Sequence, residues 1–479
     1  MPVLRNSQTR TWFIENRAAP SRTPKYKGRF RFGDWSQSYG DTTRVEEPSD
    51  SSYDRFTVVD LLPGEVESAT FDIQGRYQYQ DDFLFQLADR NCEFDVQAHL
   101  GRCVNPQDYD NNWDEIIIFE QARITSYSVE NFGALQSGDR DVANETVEVS
   151  AERIHRIVKI DIGDVAPATD SLSSVAVYGR RECTVCDEEL GVTGCETIVA
   201  GSATANNLYF TDDGWGTSGS TVVTTAAGAI TAVGVAGLNV VAGSGTSVHV
   251  ADISDIVIAA ESWASISVGN TVSAITVQSP AAVWIGDAAG NISKLNQLTI
   301  ESTLPVFTAL QVNAIDYSDV AGSDATLLAV GASNSVAYST DGGGTWISIV
   351  GPAVGVALLA AKALTPRIWL VGDANGDLWY TSNRGAAWTE ITLSGSPTAI
   401  TDIAFVSPSV GYLLADGASG SFIYRTTNGG NSWKLLPDNA TALPTHTSLS
   451  DLAVCGNHAN LFYAVGDNGG VGSIIKGGS

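Results

Sequence analysis

The strongest constraint on the fold is an eight-residue frame that the C-terminal half of the chain repeats in register. It reads Ser339-Thr340-Asp341-Gly342-Gly343-Gly344-Thr345-Trp346, then Thr381-Ser382-Asn383-Arg384-Gly385-Ala386-Ala387-Trp388, then Thr426-Thr427-Asn428-Gly429-Gly430-Asn431-Ser432-Trp433. The tryptophans stand 42 and 45 residues apart. A period in the low forties with strand-like flanks predicts the blades of a propeller.

The frame has a physical logic. Tyr338, Tyr380 and Tyr424 end strands, and the Asp or Asn with its glycines makes a tight turn. An Asp or Asn side chain bonds backbone amides two residues on, while Gly supplies a positive φ without a Cβ clash. The Trp then opens the next strand and buries a large apolar area between sheets. Ser339, Asp341, Gly343 and Trp346, with Thr381, Asn383, Gly385 and Trp388 and with Thr426, Asn428, Gly430 and Trp433, are therefore read as structural rather than catalytic. The frame resembles the Asp-box of sialidase-like, sortilin-like and photosystem-assembly-factor-like propellers. That resemblance implies a fold and not an activity, since propellers host unrelated functions.

A strand ending in a small-residue turn recurs more widely, at Val199-Ala200-Gly201, Val241-Ala242-Gly243, Trp284-Ile285-Gly286, Ala329-Val330-Gly331, Leu370-Val371-Gly372, Leu413-Leu414-Ala415 and Ala464-Val465-Gly466. That predicts seven units over residues 197–479, the first lacking an innermost strand before Glu196 and the last ending soon after Gly472–Lys476. A ring must close to remove exposed strand edges, so the two ends are expected to meet. Six or eight blades remain open on this pattern.

Charge divides the chain. Of the 27 Lys+Arg and 54 Asp+Glu, residues 183–479 hold only 7 and 23, so the C-terminal part is sparsely charged. The expected domains are a basic arm at 1–31, a β-rich domain with one helix at 32–179, a cysteine-containing linker at 180–196 and the propeller at 197–479. In the arm Arg5, Arg10, Arg17, Arg22, Lys25, Lys27, Arg29 and Arg31 face one acid, Glu15, and a basic arm on an acidic body invites docking onto a neighbouring copy. A loose tail is the alternative. No apolar core of a secretory signal stands in these residues, and no apolar run is long enough to span a bilayer.

In residues 32–179 alternation predicts strands at Arg55–Leu61, Glu67–Ile73, Phe94–His99, Glu115–Ser126, Asn144–Ala151 and Val158–Ile162, with a helix over Asp81–Arg90. The stretch Ala122-Arg123-Ile124-Thr125-Ser126 through the loop to Thr146-Val147-Glu148-Val149-Ser150, with the helix and Phe94–His99 before it, resembles a siphophage tail tube protein over about residues 32–165. The resemblance implies a β-sandwich or barrel domain, stacked hexameric rings and a DNA conduit, with the propeller displayed outside.

Chemistry is sparse. A sialidase needs three converging arginines, and the propeller has only Arg367, Arg384 and Arg425, two of them at turn frames. The histidines His99, His155, His249, His446 and His458 form no metal spacing, and no Gly-rich phosphate loop opens a helix. Cys183 and Cys186 have CxxC spacing with Cys195 nearby, but no fourth ligand completes a zinc set, so a disulfide or free thiols is the preferred reading. Cys92 and Cys103 flank a short loop and are a second candidate pair, and Cys455 reads as core. Trp215 is the one tryptophan that looks loop-borne, which keeps a glycan-stacking role open. No catalytic residue, cofactor or metal is expected. At a net charge of −27 the chain should repel nucleic-acid phosphates, so no sequence-specific nucleic-acid binding is expected either.

These readings combine into an all-β expectation with a virion role: a tail tube subunit with a seven-bladed propeller, assembled in the host cytoplasm, bound to copies of itself and other virion proteins. One alternative is a host-receptor or glycan-binding propeller at a tail tip or capsid. The other is a non-viral propeller assembly factor.

Overall fold

A computed structural model describes residues 9–14, 25–26, 30–39, 43–48, 56–62, 66–76, 83–90, 93–100, 113, 115–130, 144–160, 162–164, 170–177, 198–211, 219–223, 226, 228–236, 239–252, 263–279, 281–296, 299–318, 326–352, 354–418, 420–436, 448–454 and 459–478. The chain divides into two compact units, Met1–Lys159 and Ile160–Ser479. No helix among the described residues is long and apolar enough to cross a membrane.

The first unit is built on one eight-stranded antiparallel sheet, with a separate hairpin of Thr43–Pro48 and Phe56–Leu62. Its organising strand is Glu115–Glu130, 16 residues long. At Gln121 the backbone enters the left-handed region, φ 54°, and the ladder is interrupted. Phe94–Leu100 pairs along one edge from Ala122 back to Glu115, while on the other edge Arg153–Val158 pairs before the break and Asn144–Ala151 after it. The Gln121 amide is held by Asp95 Oδ1 at 3.0 Å, which braces the break. One face carries Phe13, Phe71, Ile73, Phe94, Val96, Phe119, Val147 and Val149, closed by the helix Phe83–Arg90 through Phe83, Leu84 and Leu87. The opposite face of Phe94–Leu100 is also buried but carries Asp95, Gln97 and His99.

The expectation of an extended arm over 1–31 is corrected here. Thr9–Ile14 is a strand of the sheet, paired along Phe94–Leu100, with Trp12, Phe13 and Ile14 buried. Three adjacent large apolar residues outweigh the flanking arginines in deciding where that segment goes. Lys25–Tyr26 and Phe30–Tyr39 join the same sheet. Of the arm residues, Arg10 and Arg31 are described by backbone alone and Lys25 is exposed; Arg5, Arg17, Arg22, Lys27 and Arg29 lie outside the described residues.

The second unit holds seven four-stranded antiparallel sheets among its described residues. Sheet 1 is Leu172–Val177, Ile198–Ser202, Asn207–Thr211 and Gly219–Val222. Sheet 2 runs from Ala232–Ala236 to Ala264–Ser267, sheet 3 from Val272–Ser279 to Thr299–Pro305, and sheet 4 from Val312–Ser318 to Ile347–Val350. Sheet 5 runs from Leu358–Ala363 to Thr389–Ile391, and sheet 6 from Ala399–Phe405 to Lys434–Leu435. Sheet 7 is Ser448–Val454, Phe462–Asp467 and Gly472–Gly477, completed by Ile162–Asp164 from the far end of the unit.

The first strand of each sheet touches the first strand of the next, and that of sheet 7 returns to that of sheet 1. Packing follows the same circuit. Seven apolar clusters each straddle two neighbouring sheets, from Val199, Leu208, Val240 and Ala242 between sheets 1 and 2 round to Leu172, Val175, Tyr463 and Val465 between sheets 7 and 1. Second strands are covered on both faces, which explains continuous small and branched runs such as Ile198–Ser202 and Thr326–Gly331 in place of alternation. Close approach of neighbours also selects glycine. At Gly290, φ 89°, a Cβ would lie 1.7 Å from the Phe307 carbonyl.

Two boundaries differ from the sequence expectation. The first sheet does have its innermost strand, Leu172–Val177, within residues assigned above to the N-terminal domain. The strand expected over Val158–Ile162 is divided: Arg153–Val158 ends in the first unit, and Ile162–Asp164 becomes the outer strand of sheet 7. The division therefore falls at 159/160 rather than near 180. Charge density does not mark this boundary, because strands that close the ring precede the drop in charge. The linker over 180–196 lies outside the described residues, as do Cys92, Cys103, Cys183, Cys186, Cys195, Cys455 and Trp215.

Candidate functional site

The seven first strands surround a cavity of about 280 Å³, lined by residues from every one of them. Its wall is built from a repeated irregularity. In sheets 1, 3, 4, 5, 6 and 7 the pairing of first and second strands slips by one residue near the start, at 172/174, 272/274, 312/314, 358/360, 400/402 and 449/451. A bulge of this kind turns one extra side chain out of the ladder.

The extra residue links sheets. Ser173 Oγ donates to the Ile230 carbonyl just before the first strand of sheet 2, and Thr231 Oγ1 donates to Val272 at 2.9 Å. Ser273 Oγ donates to Val312 at 2.6 Å, and Asn313 Nδ2 to Leu358 at 2.7 Å. Sheets 1 to 5 are thus tied by polar side chains to carbonyls.

From sheet 6 onward the tie is made at the next position and in the opposite sense, by acceptors. Asp402 Oδ2 accepts the Leu452 amide at 3.1 Å, joining sheets 6 and 7. Asp451 Oδ2 accepts the Val175 amide and the Ser174 hydroxyl, each at 2.7 Å, joining sheets 7 and 1. Ser174 Oγ in turn accepts the Val233 amide at 3.0 Å, reaching sheet 2. Between sheets 4 and 5 a third arrangement adds to the Asn313 tie: Asp316 accepts Lys362 Nζ at 2.9 Å and the Ala363 amide at 2.8 Å.

Electrostatics follow from burial. Burial pushes the Asp402 carboxyl well above the usual carboxylate range, and the neighbouring Asp451 charge adds to it. Burial also raises Asp451, against the opposing bonds from Ser174 and Val175. Both side chains accept the Leu452 amide, Asp402 Oδ2 at 3.1 Å and Asp451 Oδ1 at 2.9 Å, and the closeness of the two charges favours a proton on the pair. Asp316 is balanced by the Lys362 ammonium, a buried pair. These four charged groups were not singled out in the sequence. The available signal is a lone charge within an otherwise apolar strand, as in Ala399–Phe405 and Ser448–Val454.

The three turn frames lie elsewhere, between third and fourth strands of sheets 4, 5 and 6. They share one geometry. The Ser339 hydroxyl donates to Asp341 Oδ1 at 2.7 Å and accepts the Gly343 amide at 2.9 Å, while Asp341 Oδ1 accepts the Thr345 amide at 2.9 Å. Thr381, Asn383, Gly385 and Ala387 repeat these bonds at 2.9, 3.0 and 2.9 Å, and Thr426, Asn428, Gly430 and Ser432 at 3.0, 2.9 and 3.0 Å. Bonds from Ser339 and Thr345 hold the Asp341 carboxyl down at about 2.

The frames also bridge sheets. The Gly342 carbonyl accepts Trp284 Nε1 at 3.2 Å, and a Cβ on Gly343, φ 90°, would lie 2.7 Å from that nitrogen. Trp388 Nε1 donates to Val350 of sheet 4 at 3.3 Å. Trp346, Trp388 and Trp433 pack into the clusters between sheets 3/4, 4/5 and 5/6. Of the arginines weighed above, Arg384 Nε donates to the Pro366 carbonyl and Arg425 is buried. Among the described residues no group of three His, Cys, Asp or Glu could hold a metal.

No family model matches the sequence, and no curated protein matches it. Among solved structures the chain is similar to the WD40 repeats of RRP9, at 10% identity and a TM-score of 0.50, covering 66% of this chain and 96% of that one. It is also similar to YCF48 from Cyanidioschyzon merolae, at 13% identity and a TM-score of 0.48, covering 66% of this chain and 98% of that one. At such identity the first likeness shows fold alone: the chain is all-β and contains a β-propeller. It overturns the main expectation of a virion tail tube subunit, because the matched fold, over 66% of the chain, is that of non-viral propellers. The tail tube resemblance rested on strand order and alternation, which any antiparallel sheet shares.

Proposed function

We propose that the chain is a non-viral, non-catalytic propeller protein that serves as an assembly or interaction scaffold. In this reading the seven sheets of the second unit are seven blades, and the three turn frames are Asp-boxes that brace them. The observation that carries it is how the polar groups are used. The four charged side chains of the first strands are each bonded to an amide, to a hydroxyl or to one another, and the frame Asp and Asn residues hold their own turns. Acid–base catalysis needs a group free to reach a substrate proton. A braced ring with its carboxylates so engaged offers surface and rigidity instead, which is what a scaffold requires.

The test uses the full chain, tagged and expressed in its source cells, cross-linked and measured for stoichiometry, beside the purified protein alone. A dispersed monomer alone, and a fixed stoichiometric ratio to one defined complex in cells, is expected. Tubes or stacked rings from the pure protein, or substrate turnover, overturn the proposal.

A further inference from the structure

The carboxylates of sheets 6 and 7 do more than cross a strand gap. Asp402 Oδ2 and Asp451 Oδ1 both accept the single Leu452 amide, at 3.1 and 2.9 Å, so one donor draws two acids together. Asp402 Oδ1 is taken by the Ile403 amide at 2.7 Å, and Asp451 Oδ2 by Ser174 and Val175. Each of the four carboxyl oxygens thus accepts at least one bond from the fold.

Among the described residues of the first strands no cation is bonded to the pair. The other charged groups on the first strands are Asp316 and Lys362, which bond each other. Facing strands of sheets 1 and 2 offer Ser174 and the amides of Val175 and Val233, all neutral. Behind the pair, Tyr412 donates to the Ala459 carbonyl at 2.7 Å and Tyr463 lies buried; Asp416 is tied to Ser421 and Ser448, and Asp467 to Gly470. Two half-buried carboxylates drawn to one amide cannot both ionise without strong repulsion.

We propose that Asp402 and Asp451 form a proton-held latch on the closing seam of the ring. One proton shared by the two carboxyls keeps sheets 6, 7 and 1 bridged, and its loss loosens that seam while the rest of the ring stays closed. The location gives the latch its effect: Asp451 lies on the C-terminal strands of sheet 7, which join the start of the ring through the pairing of Ile162–Asp164 and through the bonds of Asp451 to Ser174 and Val175. The proton is bound in the folded ring and absent from the unfolded chain above the ordinary Asp range. The latch therefore acts fully below that range and weakens as pH rises through the titration of the folded pair.

The experiment is amide hydrogen exchange on the full chain from about pH 5 to 9, referred to the intrinsic rate at each pH. Peptides covering Ser448–Val454 and Leu172–Val177 are compared with Val272–Ser279 of sheet 3, whose strand has no carboxylate. The expected result is protection at the seam that falls by up to about tenfold per pH unit, with sheet 3 unchanged. Asp402→Asn, whose amide donates to Asp451 without titrating, should remove that dependence. Seam and sheet 3 losing protection together, or Asp402→Asn following the unmodified protein, overturns the proposal. Should that variant not fold, infrared spectra of the unmodified protein at neutral pH decide. A protonated carboxyl band supports the latch, and its absence overturns it.

Discussion

The Asp451 carboxylate accepts the amide of Val175 at 2.7 Å across a sequence separation of 276 residues. This bond joins the last sheet of the ring to the first. Beside it, Ile162–Asp164 pairs with Ile475, Lys476 and Gly477, so both a side chain and a strand cross the same junction. The N-terminal edge of the second unit thus completes its C-terminal sheet, and no strand edge of sheet 7 is left to its own three strands.

Removing the carboxylate should open that junction. Asp451→Ala leaves the Val175 amide without its acceptor in a buried setting, which costs about 1–3 kcal/mol for the orphaned donor and more with Ser174 released. Urea denaturation at neutral pH should show a lower midpoint. Asp377→Ala serves as a control because Asp377 lies in a turn of sheet 5, away from the cavity.

The Asp316–Lys362 pair gives a second prediction. Lys362→Met strands a buried carboxylate that keeps only the Ala363 amide, and breaking a buried pair from one side costs about 3–5 kcal/mol. Lys362→Met combined with Asp316→Asn should recover part of that loss. A double-mutant cycle on unfolding free energy measures the coupling.

At the turn frames, Thr426→Val keeps shape and removes the hydroxyl that accepts the Asn428 and Gly430 amides. All of Thr426, Asn428 and Gly430 are buried, so destabilisation of about 1–3 kcal/mol is expected, and thermal unfolding reads it. Ser339→Ala should cost somewhat less: it also strands the buried Gly343 amide, but the exposed Asp341 can turn its freed oxygen to water.

Asp341 also sets a pH dependence with a definite sign. Its folded pKa, about 2, lies below the unfolded value, so its contribution is present above the ordinary Asp range and fades as pH falls toward about 2. Asp341→Asn should therefore narrow the stability gap between neutral and acid pH, by a modest amount given the group's exposure. Denaturation midpoints at several pH values check it.

Part of this architecture is readable in the residues. Trp346, Trp388 and Trp433 with their Ser/Thr–Asp/Asn turns mark sheets 4 to 6, because each turn closes on its own local bonds and needs no distant partner. The closing strands are not readable in the same way. Leu172–Val177 carries no turn frame, and the three residues Ile162–Asp164 are too short for a period; their pairing is decided by partners at the other end of the chain. The cavity acids are visible only as single charges in apolar strands, since their roles depend on neighbouring sheets. Thr9–Ile14 was hidden by the arginines around it, although its own side chains are what the sheet buries.

The central claim is that the ring begins at Ile160 and needs those first residues to close. The most direct measurement compares chemical unfolding of two fragments, residues 160–479 and residues 180–479, by circular dichroism. A single cooperative transition is expected for the longer fragment, and a broad, low-midpoint loss of structure for the shorter one. A cooperative transition of 180–479 at the same midpoint would contradict it.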